Sequence, residues 1–408
     1  MHLSLFDHSV KSKRLWPLTQ CRPIADLRIG ILKISEKWNK FMSIPVSHDC
    51  STQLSPLFPK LKNDSTDHWI VDGSILPDES LASFLIGLPK GTLAMDSNGQ
   101  WIGLKLLDAY PERSLLENLD HQGPANFQKI TYPHTIHRIE NVWDLFHKNG
   151  EEIQIDFQLL TQNRSSQKLS SSNTVLGDQI FLEEGAKVEA CILNSQTGPI
   201  YIGKDAEVME GSIIRGPFAL CAHSTVKMGA KIYGQTTVGP HCKVGGEVQN
   251  VIFQSNSNKG HDGYLGNSLI GEWCNIGADS NSSNLKNTYQ EVKLWSYLSS
   301  KFEKTNTIFC GLIMGDHAKC GINTMFNTGT VVGFGANVFG AGYPRQFVPD
   351  FAWGGATGFS TFGFDAFIQT AQTVMSRRNM ILTEEQKNLY QQIFEETALY
   401  RVWENKKM

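Results

Sequence analysis

The sequence predicts a protein of two parts, an α/β domain followed by a parallel β-helix. In the second half of the chain, apolar residues recur at every sixth position over a long stretch. A six-residue repeat is typical of β-helices, in which each repeat forms one short strand and a turn. In the first half, short apolar runs alternate with helix-like segments, which is the pattern of an α/β fold. A chain of 408 residues is also longer than one ordinary domain.

The overall composition is that of a globular protein without a strong charge. Hydrophobic residues make up 40% of the chain, and the net charge is -3. No broad basic field exists, so neither nucleic acid nor a membrane is expected as a partner. The N-terminus lacks the charged and apolar regions of a signal peptide, and no apolar run approaches a membrane span. Eight scattered cysteines without a C-x-x-C pair indicate reduced thiols and a cytoplasmic protein.

Residues 1–160 form the predicted α/β domain. The apolar runs Trp69–Leu76 and Trp101–Leu107 predict strands, and Ile139–Lys148 predicts a helix. The following segment, 161–175, is rich in serine and polar residues and is interpreted as a linker. The sequence therefore separates the α/β domain from the repeats that follow.

The repeat is strictest between residues 202 and 244. Every sixth residue there is Ile, Val or Leu: Ile202, Val208, Ile214, Leu220, Val226, Ile232, Val238 and Val244. The residue four places after each of these anchors is mostly small, which suits a tight corner. Three strand-and-turn sides make one coil of about eighteen residues, with neighbouring coils at strand spacing. The same register returns from Met314 to Val338, so the β-helix is predicted over 176–345 with an interruption at 285–308.

Residues 346–408 form a predicted C-terminal extension that contains a helix. Thr383 and Gln386 have the spacing of a capping box at its start. Leu389, Ile393 and Phe394 fall on one face of the helix that follows.

Within the repeats, three short segments carry a resemblance to a known family. They are Gly260–Gly266 (GHDGYLG), Asn275–Ala278 (NIGA) and Asn284. This pattern resembles the acetyltransferase half of the bifunctional N-acetylglucosamine-1-phosphate uridyltransferase/glucosamine-1-phosphate acetyltransferases. The two-domain layout, including Arg22–Trp38, is closer still to a Bacteroidetes-type group of uridyltransferase-like sugar nucleotidyltransferases. The resemblance implies a left-handed β-helix, a homotrimer with active sites between subunits, and acetyl transfer from acetyl-CoA to an amino sugar phosphate.

The resemblance also implies a role for each motif residue. His261 would be the general base, since imidazole titrates near neutral pH and the attacking amine must lose a proton. Tyr264 and Asn284 would bind the sugar phosphate and position its amine. Ala278 lies where backbone groups would meet the acyl donor. The sequence does not indicate whether this site binds a metal ion.

One position departs from the family pattern. Gln249 stands where the family has a lysine that binds the sugar phosphate. Arg215 and Lys231 are therefore the further candidates for phosphate binding in this chain.

The N-terminal domain resembles the sugar nucleotidyltransferases in a degenerate form. That family carries a Gly-rich loop whose backbone amides hold the nucleotide phosphates. The matching region keeps Arg14 and Arg22 but has lost the glycines, and Asp7 and His8 stand in their place. Asp72 follows a strand and is a candidate metal ligand or a turn residue. Arg14, Arg22 and Asp72 are thus the candidate nucleotide site, with Mg²⁺ and a nucleoside triphosphate required only if this domain is active.

Three other functions remain open from the sequence. Nucleotidyl transfer could be the main activity, with a purely structural β-helix. A zinc site of the γ-carbonic-anhydrase kind could use His223 and His241, which lie eighteen residues apart, with His261 or His317 nearby. The chain could also be an inactive assembly scaffold, which would bind neither acetyl-CoA nor a sugar phosphate.

Overall fold

The computed structural model describes residues 2–60, 67–107, 110–120 and 126–404. The chain divides into two compact units. The N-terminal unit comprises residues 1–15, 19–27 and 32–142, and the C-terminal unit comprises 16–18, 28–31 and 143–408. The helix that precedes the predicted linker at 161–175 is therefore part of the C-terminal unit.

The N-terminal unit is built on a six-stranded mixed sheet. Its strands, in spatial order, are Val46–Asp49, His2–Phe6, His68–Asp72, Trp101–Lys105, Thr92–Met95 and Gln128–Thr131. The helices of this unit are α1 (Ser9–Arg14), α2 (Ile34–Met42), α3 (Glu79–Gly87) and α4 (Arg113–Leu116). Short strands of this unit occur at Leu32–Lys33, Ile75–Leu76 and His137–Arg138, and the short strand Arg28–Ile29 belongs to the C-terminal unit. The strands predicted within Trp69–Leu76 and Trp101–Leu107 are thus present and contribute to the buried core.

The C-terminal unit begins with helix α5 (Val142–Thr161) and continues as a parallel β-helix. One ladder of short strands runs along one side of the coils: Lys187–Val188, Glu207–Val208, Thr225–Val226, Lys243–Val244, Asn258–Lys259, Asn275–Ile276, Lys319–Cys320, Asn337–Val338, Ala352–Gly355 and Gly358–Thr361. The strands of the other sides are Thr174–Leu176, Ile180–Leu182, Ile192–Asn194, Ile200–Ile202, Ile213–Arg215, Phe218–Leu220, Lys231–Ile232, Thr236–Val238, Glu247–Phe253, Tyr264–Ile270, Asn281–Ser282, Ile313–Met314, Met325–Phe326, Val331–Val332 and Phe347–Val348.

The predicted hexapeptide register is confirmed by burial. All eight anchors from Ile202 to Val244 are at most 2% exposed and belong to one continuous core. The coils pair in parallel at matching anchors, as Val208 with Val226 and Val226 with Val244. The predicted fold class, an α/β domain followed by a hexapeptide β-helix and a C-terminal helix, is therefore confirmed.

The interruption of the repeat contains a β-hairpin, Lys293–Ser296 paired with Lys301–Lys304. The C-terminal extension holds two helices, α6 (Phe364–Ser376) and α7 (Glu384–Glu396), of which the sequence predicted only the second. Thr383 and Gln386 form the predicted capping box at the start of α7. No helix in the described parts of the chain has the length and apolar character needed to cross a membrane.

Candidate functional site

The GHDGYLG motif lies beside a shortened corner of the β-helix. The anchors Val208, Val226 and Val244 follow at intervals of eighteen, but the next residue in this column, Lys259, follows after only fifteen. After Val244, the corner consists only of Gly245 and Gly246 before the next strand begins at Glu247. The missing residues leave a notch of about 470 Å³.

His261 and Ala278 both line this notch. The imidazole of His261 is exposed and makes no hydrogen bond with any residue that the structure describes. It is therefore accessible to a substrate amine, which is the first requirement of a general base.

A second depression, a groove of about 710 Å³, adjoins the notch and shares His261 and Ala278 with it. Five basic residues line the groove, and the described lining holds no carboxylate: Lys227, Lys243, Lys319, Arg377 and Arg378. Burial lowers the pKa of Lys319 to about 8. The guanidinium of Arg378 donates to Asn258 Oδ1 at 3.1 Å and to the His241 carbonyl, so this cation is held in place. Such a lining suits a ligand with several phosphates.

The backbone around Ala278 leaves one donor available. The amides of Gly277 and Asp279 donate to neighbouring coils, and the Ala278 carbonyl accepts from Asn323 N at 2.8 Å. The Ala278 amide has no acceptor among the described residues. It can therefore donate to a carbonyl oxygen of a ligand in the groove.

Tyr264 and Asn284 meet over Gly266 in a third depression of about 520 Å³. A Cβ at Gly266 would collide with the Tyr264 hydroxyl and would lie 2.6 Å from Asn284 Nδ2. The third glycine of the motif is thus required because the two polar groups approach each other across the bare backbone. Burial raises the pKa of Tyr264, which stays a neutral hydroxyl donor. Asn284 also donates to Asn267 Oδ1 at 2.8 Å.

The two candidates for phosphate binding, Arg215 and Lys231, have different surroundings in the structure. Arg215 and Gln249 line the same depression as Tyr264 and Asn284, so an arginine of a preceding coil is available where the family lysine is missing. Lys231 is not among the residues that line it, and its ammonium is 3.6 Å from the Glu247 carboxylate on the exposed surface. Arg215 is therefore the better placed of the two.

Lys259 is a residue of this site that the sequence reasoning missed. It pairs with Val244 in the column of inward anchors, and it is only 1% exposed. Its ammonium donates to the carbonyls of Gly245 and His261, each at 3.0 Å. Burial lowers its pKa to about 8. Lys259 lies six residues after Phe253 and six before Leu265, which is the spacing of the inward anchors. It would have been predicted as an anchor if charged residues had been allowed at these positions.

In the N-terminal unit, the candidate metal ligand Asp72 is fully engaged by protein groups. Its Oδ2 accepts from Lys11 Nζ at 2.6 Å and from Arg138 at 2.8 Å. Its Oδ1 accepts from the amide and the hydroxyl of Ser74 at 3.0 and 2.8 Å. Burial alone would raise the pKa of Asp72, but the charges of Lys11 and Arg138 hold it well below its usual range. The two cations occupy the place of a metal, so Asp72 does not fit a free Mg²⁺ ligand.

The start of α1 is occupied as well. The Glu117 carboxylate accepts from the amide of Ser9 at 3.2 Å and from its hydroxyl at 3.1 Å. The Asp7 carboxyl is buried, accepts from Ile24 N at 2.8 Å, and has a pKa raised to about 7 by burial. Of the candidate nucleotide-binding residues, Arg14 is exposed and Arg22 is 3% exposed. A protein carboxylate thus takes the amide that a phosphate loop would offer to a nucleotide.

The histidine pair considered for zinc is stacked at a corner of the β-helix. The rings of His223 and His241 lie 4.9 Å apart at 11°, and both residues have positive φ. The described residues contain no group of three or more His, Cys, Asp or Glu side chains suited to a metal ion. Within the described chain, the pair has no third ligand.

Comparison with known proteins finds one family model and several partial relatives. Residues 3–165 match the sugar nucleotidyl transferase family. The chain is 28% identical over 193 residues to the bifunctional protein GlmU of Wigglesworthia glossinidia brevipalpis, covering 47% of this chain and 35% of that protein. It is 33% identical over 118 residues to GlmU of Methanocaldococcus jannaschii, covering 29% and 26%. Parts of the chain are therefore similar in sequence to GlmU proteins, which confirms the expected resemblance to this bifunctional family. The matched part spans only about a third of the length of the first of these relatives.

Among solved structures, the chain aligns with the Arabidopsis UDP-N-acetylglucosamine acyltransferase. The alignment covers 59% of this chain and 97% of the plant protein, with 11% identity and a TM-score of 0.26. A score this low bears on neither fold nor function.

Proposed function

We propose that the C-terminal unit is an acetyl-CoA-dependent N-acetyltransferase that acts on an amino sugar phosphate in sugar-nucleotide biosynthesis. The observation that carries this proposal is the position of His261, an unpaired imidazole at the junction of the notch and the basic groove. A base is thus available beside the groove that we assign to the acyl donor.

The basic groove suits acetyl-CoA because that donor carries several phosphate groups. Lys227, Lys243 and Arg377 would bind the phosphates, and the cation of Arg378 is already fixed by its hydrogen bonds. The free Ala278 amide would donate to the thioester oxygen and stabilise the negative charge that develops there.

The acceptor site is the depression that holds Tyr264, Asn284 and Arg215. Tyr264 follows His261 by three residues, and three residues span at most about 10 Å, so the two side chains belong to neighbouring parts of one coil. Arg215 would bind the phosphate, while the sugar extends towards His261. His261 would take a proton from the amine as nitrogen attacks the thioester carbon, and the C–S bond then breaks. The imidazolium would return that proton to the departing thiolate.

A second candidate function, sugar-1-phosphate nucleotidyl transfer, is favoured by the family match over residues 3–165. The occupied oxygens of Asp72 and the Glu117 carboxylate on Ser9 argue against a Mg²⁺-dependent form of it in this conformation. Acetyl transfer is therefore the function that the described geometry supports best.

The test is a screen of amino sugar phosphates with acetyl-CoA, with release of the free thiol as the signal. The wild-type protein should acetylate at least one of them. His261→Ala should lower kcat by roughly 10²–10⁴-fold and leave KM for acetyl-CoA nearly unchanged. Tyr264→Phe should instead raise KM for the sugar phosphate. A sugar-1-phosphate screen with all nucleoside triphosphates and Mg²⁺ is the matched control for the second candidate.

An absence of acetyl transfer with every acceptor would reject the proposal. So would full activity in His261→Ala, because the GHDGYLG motif would then be a structural corner only.

A further inference from the structure

Lys259 is an exception within the core of the β-helix. Its column of inward anchors reads Val188, Val208, Val226, Val244, Lys259, Ile276, Cys320 and Val338. Every other member of the column is apolar or a thiol, and Lys259 itself is 1% exposed. Burial of an ammonium is unfavourable unless its protons find acceptors, so a lysine here requires a specific partner.

Those partners are carbonyls on either side of the shortened corner. In the preceding full-length corner, the Lys227 carbonyl accepts from the Ala230 amide and the Ser212 hydroxyl. The equivalent carbonyl in the shortened corner belongs to Gly245, and it accepts from the Lys259 ammonium at 3.0 Å. The lysine therefore supplies a donor from inside the coil at the place where the corner has lost residues.

The same ammonium holds the backbone of His261 through its carbonyl, also at 3.0 Å. The next two carbonyls of the loop, those of Asp262 and Gly263, accept from the amides of Asp279 and Glu247. The His261 imidazole has no hydrogen-bond partner among the described residues, so no side chain orients it. Its position therefore depends on how its backbone is held.

We propose that Lys259 is a positioning residue: its buried ammonium ties the loop that carries His261 to the shortened corner and so directs the imidazole into the notch. The expected effect on kcat rests on the proposed function. The restraint that Lys259 places on the loop is independent of that function. Lys259 does not touch a substrate, because it is enclosed in the core.

The test compares Lys259→Met with the wild type in the full-length protein. Methionine keeps the length and apolar stem but leaves the carbonyls of Gly245 and His261 without this donor. The ammonium forms no ion pair with a described residue, so the change leaves no buried counter-charge. Only two carbonyls lose one donor each, which should still allow the protein to fold. We expect kcat for acetyl transfer to fall roughly 10–100-fold, the scale of a misplaced catalytic group. KM for acetyl-CoA should change little.

Two readouts separate positioning from a general structural role. In the His261→Ala background, Lys259→Met should cause no further loss of kcat, because the lysine acts only through that imidazole. Hydrogen–deuterium exchange should become faster in the peptide 258–266 and stay unchanged in other coils. Ile232→Met, another inward anchor at 2% exposure, is the matched control and should alter neither readout.

Each alternative result decides the question. An equal loss of kcat in both backgrounds, or unchanged kcat together with unchanged exchange, overturns the proposal. If the wild type acetylates nothing, exchange alone decides: a faster 258–266 peptide retains the role of Lys259 while rejecting the proposed function, and an unchanged peptide rejects both.

Discussion

Two single residues, Asp72 and His261, have opposite surroundings. Asp72 is enclosed by Lys11, Arg138 and Ser74, with both of its oxygens in hydrogen bonds. His261 is exposed and its ring has no partner in the described chain. A carboxylate in the first setting stabilises the fold, whereas an imidazole in the second is available for proton transfer.

Asp72→Asn should therefore destabilise the N-terminal unit by about 3–5 kcal/mol, because Lys11 and Arg138 lose a buried counter-charge. Arg138 would keep its second partner, Asp96, at 3.1 Å. Millimolar Mg²⁺ should leave the melting temperature of the wild type unchanged. Glu79→Gln, which removes an exposed carboxylate of the same unit, is the control and should have little effect in denaturant or thermal unfolding. A Mg²⁺-dependent stabilisation that disappears in Asp72→Asn would show that Asp72 binds the metal after all.

The β-helix of the C-terminal unit is a stack of short coils, and a single coil is too short to be stable alone. Strands of two or three residues are fixed only because anchors from neighbouring coils stack in one core. The corner geometry is repeated as well: Asp205, His223 and His241 follow one another at eighteen-residue intervals with φ between 53° and 60°. Stability of this element is therefore a property of the stack.

Val226→Asp should disrupt this stack. The side chain is fully buried between Val208 and Val244, so an aspartate there would be an unpaired charge in a narrow core. We expect a loss of roughly 3–5 kcal/mol in the free energy of unfolding, or a failure to fold. Thr225→Asp, on the same strand but pointing outward, should change stability little. Equal melting temperatures for the two variants would contradict the hexapeptide register.

For the whole molecule, the depressions at the candidate site are all formed by the C-terminal unit. His261 and Ala278 line the notch and the basic groove, while Tyr264 and Asn284 line a separate depression. All are open to the surface of one chain, so a closed active site requires further walls. The proposed homotrimer would supply them from neighbouring subunits.

Light scattering should accordingly give a mass three times the 45.5 kDa of one chain. Acetyl transfer per chain should decrease on dilution into the range where the mass falls to that of a monomer. A stable monomer with full activity would contradict an active site shared between subunits.

The β-helix could be predicted from the sequence alone, because an inward anchor every six residues is a local rule that each coil repeats. The sequence also showed the motif around His261 and predicted α7 through its capping box. Helix α6 was not predicted, since it begins after Gly363 without a capping side chain, whereas α7 begins with the capping box at Thr383. In the α/β unit, only the strands within Trp69–Leu76 and Trp101–Leu107 were predicted, from their apolar runs. The order of strands in the sheet was not predicted, because pairing depends on contacts distant in sequence.

The surroundings of Asp72, Arg215 and Lys259 depend on the folded chain. The Oδ2 atom of Asp72 is engaged by residues 61 and 66 positions away, so the neighbouring sequence could not show that this oxygen is occupied. Its Oδ1 atom accepts from Ser74, which fits the turn role that the sequence also allowed. Arg215 reaches the depression of Tyr264 because the coils between them are stacked. Lys259 occupies an anchor position that is apolar in most coils. The reason for a lysine there is visible only in the folded chain, where the carbonyls of Gly245 and His261 accept from its ammonium. The spacing of apolar residues along the chain predicts which side chains are buried. The partners of a buried charged side chain depend on which coils pack against each other, and this cannot be read from spacing.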